Sequence, residues 1–223
     1  MKQVALTICA LFLALSLAPL YGGAALAHQP NFVRRATRVA VSDPEISKAY
    51  YAELPGEPAV YEIRSGRAFT LYVNILAPDI PGARTDFDVE IFKDGALFAV
   101  VDSTFFVWPR FYEPYGGDHY FQGPAWRDAV GPGLYEVRVS NPDNRGKYVL
   151  AVGDIEEFPP AKALHALVAI PTIKKGFFGK SPWTALDSRV GTFFLVGLAV
   201  VAAAIAILVV ILRRWLSVRR RAA

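Results

Sequence analysis

The chain has 223 residues with 53% hydrophobic residues and a formal net charge of +4. Five of its 24 basic residues are arginines crowded at the C-terminus and one is Lys2, so residues 28 to 190 hold 18 Lys and Arg against all 20 Asp and Glu and carry minus two. That balance leaves no basic footprint for nucleic acid, and a lone cysteine at Cys9 excludes a disulfide framework or a cysteine-ligated metal.

The first 27 residues join Lys2, an apolar run from Val4 to Leu20 and the small residues Ala25-Leu26-Ala27. This is the layout of a secretory signal cleaved after Ala27, with an uncleaved signal anchor as the alternative. "LTIC" lacks the small residues that a lipoprotein site needs before its cysteine. Cleavage there makes His28 the mature N-terminus, where an α-amino group and an imidazole can together chelate copper; a merely exposed terminal His is the plainer reading. No cofactor is expected otherwise.

Residues 28 to 158 read as strands, apart from a possible short helix in "DPEISKAYYAEL". "AVYEIRSGRAFTLYVNILAPD" reads as two strands broken at Ser65-Gly66, with Phe69, Leu71, Val73 and Ile75 on one face. In "DFDVEIFKDGALFAVVDS", Phe87, Val89 and Ile91 alternate with acidic residues before the turn pair Asp94-Gly95, which predicts a hairpin. "GPGLYEVRVSNPDNRGKYVLAVGD" predicts a third. Short strands punctuated by Gly, Pro, Asn and Asp argue for an all-β domain, an antiparallel β-sandwich or jelly roll. Asp79 and Asp143 stand in loops, where turn formation explains them without calcium.

Gly133, Tyr135 and Val139, followed by Gly146, Tyr148, Leu150 and Val152, resemble the last hairpin of bacterial exported jelly-roll domains of the pre-peptidase C-terminal type. The resemblance implies a jelly-roll fold and carries no site residues.

Residues 105 to 128, "FFVWPRFYEPYGGDHYFQGPAWRD", place nine aromatics among 24 positions. Pro114, Gly116 and Gly117 break any strand, so the stretch reads as a long irregular loop. As a binding platform, it would stack Tyr112, Tyr115, Tyr120 and Trp126 on a sugar or peptide, with Glu113, Asp118 and His119 supplying polar contacts. As a cap, it would bury its rings over the open end of the sandwich. Tyr115, beside Gly116-Gly117, is expected at an exposed tip, and Trp126 is expected to be buried. Two carboxylates and a histidine within seven residues can serve acid-base chemistry, but no nucleophile or hydrolase signature accompanies them, so no enzymatic activity is expected.

Residues 159 to 190 predict a short helix from Ala161 to Ile170 that stops before Pro171, then a segment rich in Lys, Phe and Trp lying on the outer leaflet. An extended linker is the alternative, and in either case the segment is expected to add membrane affinity without fold stability. Residues 191 to 212 form a transmembrane helix, since the 21 residues from Thr192 to Leu212 carry no charge and span about 30 Å at 1.5 Å per residue. The basic tail, 213 to 223, holds Arg213, Arg214, Arg219, Arg220 and Arg221. Such clusters stay in the cytoplasm, so the expected protein is single-pass in a cell membrane with its sandwich outside or in the periplasm. Its expected partners are the bilayer and an envelope protein or glycan.

Overall fold

The computed structural model describes residues 28–33, 37–157 and 160–222, with side chains left undescribed at 160–164 and 218–222. The predicted signal segment lies outside the described residues, as do the side chains of Arg219, Arg220 and Arg221.

Among the described residues eleven strands run in chain order: β1 (Gln29–Phe32), β2 (Arg38–Val41), β3 (Lys48–Pro55), β4 (Ala59–Ser65), β5 (Phe69–Pro78), β6 (Asp88–Lys93), β7 (Ala96–Val101), β8 (Arg110–Glu113), β9 (Asp118–Val130), β10 (Gly133–Ser140) and β11 (Arg145–Val152). They form two sheets. The first has the order β1-β3-β11-β5-β9-β8 and the second β2-β4-β10-β6-β7. The protein is an all-β sandwich with one C-terminal apolar helix.

The sandwich core lies between the sheets, where the alternating residues Leu71, Val73 and Ile75 of β5 meet Val89, Ile91 and Val137 from the other side. Tyr135 and Tyr148, from the jelly-roll-like signature, are wholly buried there. The Tyr148 and Tyr61 hydroxyls satisfy each other at 2.9 Å.

Three local expectations are corrected. Lys48–Pro55 is a strand and not a short helix, because both of its faces are covered and its backbone pairs with β1 and β11. Of the three expected hairpins, only β6–β7 is one, closed by Asp94 and Gly95 at φ 49° and 86°, the positive angles of a two-residue type I′ turn. β4 and β5, like β10 and β11, lie in different sheets, so their short loops turn corners. The remaining hairpin sits where no strand was expected: β8 and β9 pair antiparallel through the aromatic stretch, from Arg110↔Phe121 to Glu113↔Asp118.

An irregularity in β9 sets which way its side chains point. Asn74 pairs with Ala125 and Leu76 with Gln122, so β9 has one more residue than β5 over this interval. Such a bulge reverses the inward and outward alternation beyond it. Phe121 and Trp126, of opposite parity, therefore both pack on the sandwich core. The buried Asn74 amide donates to the carbonyls of Gly123 and Pro124, both at 3.0 Å, satisfying the bulge. A Cβ at Gly123 would stand 2.6 Å from the Trp108 ring and 2.7 Å from the Ile75 carbonyl, so the position admits only glycine.

The segment after the sandwich is not a linker. Helix α1 (Pro160–Gly176) continues through Pro171 and packs on the outer face of the first sheet. There Ile173, Phe177 and Phe178 join Ala49, Tyr51, Leu76, Tyr120, Val149 and Ala151 in a second apolar cluster. Proline removes one helical hydrogen bond, and the burial of these side chains on the following turns offsets that loss. A 3-10 helix (Pro182–Asp187) leads into helix α2 (Arg189–Ala222). Within α2, Arg189–Ser217 has a mean hydropathy of 3.2 and no burial in its most apolar window, and it is long and apolar enough to cross a membrane.

Candidate functional site

The β8–β9 hairpin divides the aromatic stretch between two faces. Strand alternation sends Phe111, Glu113, Asp118 and Tyr120 toward α1. Tyr112 and His119 point the other way, with their rings 4.9 Å apart and Tyr112 49% exposed. Trp126, beyond the bulge, is half-buried on the sandwich core beside Phe98. The seven residues expected to form one site therefore do not share a surface. Tyr115 is corrected as well: it occupies no free tip but packs with Ala166, Ile170 and Ala185 beneath α1.

On the α1 side, a buried polar cluster lies between apolar surfaces. Asp118, 3% exposed, accepts 2.7 Å from Lys174 Nζ, itself 1% exposed, and 2.8 Å from Lys180 Nζ. Lys174 also donates 3.0 Å to the carbonyl of Gly117. Nearby, the two carboxylate oxygens of Glu113 accept the backbone N–H groups of Tyr115 and Gly116 at 2.6 and 2.7 Å. Burial pushes the Glu113 carboxyl above its ordinary range, and these two hydrogen bonds oppose that shift. The Tyr51 and Tyr120 hydroxyls, 3.2 Å apart, complete the cluster. Burial raises both phenols, and the negative charge of Glu113 pushes each in the same direction.

The same hairpin turn is joined to the start of α2. The Arg189 N–H donates 3.1 Å to the Pro114 carbonyl. A Cβ at Gly117, whose φ is +73°, would sit 3.1 Å from the Ser188 side chain. The turn residues Gly116 and Gly117, expected as strand breakers in a loop, thus allow close contact between the sandwich and the helix that leaves it.

A groove of about 140 Å³ crosses the first sheet under α1, from His28 beside β1 to Glu113 on β8. These strands are opposite edges of a six-stranded sheet. The His28 ring is hydrogen-bonded to Ser47 Oγ, and burial lowers its pKa to about 4, so it is neutral at pH 7. His119 lies on β9, and His165 is exposed on α1. Among the described residues no group of three His, Cys, Asp or Glu side chains is placed to hold a metal ion.

Two residues of this cluster, Lys174 and Lys180, come from the Lys-rich segment expected on the outer leaflet. Asp118 and Lys174 are 56 positions apart, and no local pattern signals their pairing.

No family model matches the sequence, and no curated protein does. Among solved structures, the chain is similar to the pre-peptidase C-terminal domain of collagenase from Bacillus anthracis, with 13% identity, 54% of this chain and 97% of that one covered, and a TM-score of 0.34. It is also similar to a beta-glucosidase from Paenibacillus barengoltzii, with 11% identity and a TM-score of 0.24, over 55% of this chain and 13% of the enzyme's. Overlaps this loose add nothing to the sandwich described above.

Proposed function

We propose that the protein is a single-pass, membrane-anchored envelope protein whose sandwich binds or assembles with a partner and catalyses no reaction. The observation that carries this reading is the outer edge of the second sheet. β7, "ALFAVV", is an edge strand with no charge or proline, and it exposes Leu97 at 57% and Val100 at 51%. Phe105 at 95% and Val107 at 83% extend the apolar surface beyond it. Soluble proteins guard such edges with charges, prolines or bulges, since unpaired backbone groups recruit other strands. β7 has one bulge, at Phe98 against Ile91 and Phe92, but no charge or proline, and an apolar edge of this kind on an anchored domain fits one that a partner covers. The non-catalytic part of the reading is supported by how the three candidate acid-base residues are engaged: Asp118 with two lysines, Glu113 with backbone N–H groups, and His119 on the opposite face.

The edge is tested by charging it. Leu97→Lys with Val100→Lys should release the protein from its larger complex on native gels of detergent extracts, while its melting temperature stays within the small range expected of surface changes. A complex of unchanged size would count against the edge as the assembly surface.

The orientation follows from the arginines in the C-terminal turns of α2, with residues 1 to 27 acting as a cleaved signal and the polar ectodomain exported. A reporter fused after Ala223 should be active only in the cytoplasm. Activity on the other side of the membrane would reverse the topology.

A further inference from the structure

A second cleft lies below the sandwich, where α1, the 3-10 helix and the first turns of α2 meet. Its volume is about 320 Å³, and its walls include Leu167, Ile170, Leu186, Val190 and Phe194, with Trp183 at its rim. The walls are held in place by close packing. A Cβ at Gly191 would stand 2.3 Å from the Ala185 carbonyl, so the α2 backbone rests directly on the 3-10 helix. Buried Ser188 ties the corner by donating 2.6 Å to that carbonyl and accepting 3.1 Å from the Gly191 N–H.

We propose that this cleft holds a segment of one acyl chain from a lipid of the surrounding bilayer. The inference rests on the reading of α2 as membrane-spanning. One wall of the cleft is the first stretch of α2 itself, so the cleft continues the helix's lipid-facing surface and opens where the hydrocarbon begins. Keeping this apolar lining in water costs free energy in proportion to its area, whereas a lipid chain covers it without unpaired polar groups. The size agrees. A cavity of about 150 Å³ accepts one benzene ring, so this one takes on the order of a dozen carbons, a stretch of acyl chain. Trp183, 78% exposed at the rim, is a residue type that settles at the head-group level, and the exposed Lys175 and Arg189 stand on the elements that frame the cleft.

The test uses the full chain in phosphatidylcholine nanodiscs containing increasing fractions of a phosphatidylcholine with a diazirine in one acyl chain. After photolysis, labelling of Leu167, Ile170 and Leu186 should saturate, as one site does, while labelling of Val201 and Leu208 in the middle of α2 should rise in proportion to the probe. Leu167→Trp, which fills the cleft, should cut cleft labelling about tenfold and leave Val201 and Leu208 unchanged; Leu167→Ala should preserve saturable labelling. Cleft labelling that is absent or merely proportional in the wild-type protein overturns the proposal even where α2 is labelled. Cross-linking of α1 to a second polypeptide in place of lipid also overturns it, in favour of a partner helix. Unlabelled Val201 and Leu208 would remove the membrane-spanning reading first, and this proposal with it.

Discussion

Asp118→Ala should destabilise the protein by about 3 to 5 kcal/mol, the loss expected when one partner is removed from a buried ion pair. Lys174, 1% exposed, would then keep the Gly117 carbonyl and the charge of the nearby Glu113, without an ion-pair contact. Lys180, 41% exposed, would move into water at little cost. The arrangement predicts an order. Lys174→Met should cost less than Asp118→Ala, because Lys180 still neutralises the carboxylate. Lys180→Met should cost less than about 1 kcal/mol, as partly exposed pairs do. The double variant Asp118→Ala with Lys174→Met should be more stable than Asp118→Ala alone, since no buried charge is left unpaired. Denaturant melts of the detergent-solubilised protein measure all four, and a double loss equal to the sum of the two single losses would refute coupling between the two residues.

Cutting the chain after residue 158 should leave a sandwich that binds hydrophobic dyes and aggregates, whereas residues 28 to 188 should fold as a soluble domain. This reverses the expectation that residues 159 to 190 serve membrane affinity alone. They bury Phe177 to 1% and Phe178 to 7% on the outer face of the first sheet, and removing them bares Tyr51, Leu76, Tyr120 and Val149 to water. Phe177→Ala in the longer chain should cost about 3 to 5 kcal/mol, the range for deleting a buried large aromatic. It also loses the edge-to-face contact of Phe177 with Tyr51 at 5.3 Å. A shorter chain as stable as the longer one would mean that α1 is dispensable.

Much of the fold was legible because its causes are local. Alternation in Phe69 to Ile75 and in Phe87 to Ile91 depends only on the strand's period of two. The Asp94-Gly95 turn depends only on which residues tolerate positive φ. The length of the uncharged run from Thr192 to Leu212 needs no partner to be read. The candidate site was less legible because the aromatic stretch looked irregular: Pro114, Gly116 and Gly117 suggested a loop, yet they occupy only the tight turn between two paired strands.

What the sequence by itself determined is the set of strands, the apolar helix at the end and the corner and turn positions between them. Only the tertiary structure decided which strands pair, because β4 and β5 carry the same alternation and the same short loop whether they share a sheet or lie in two. It also decided that Trp126 faces the core, since one extra residue in β9 reverses every later side chain and the partner strand alone reveals it. Lys174 and Phe177 gained a structural role in the same way. A lysine and a phenylalanine near a membrane read as lipid contacts until a buried carboxylate and an uncovered sheet face, brought close by folding, take them instead.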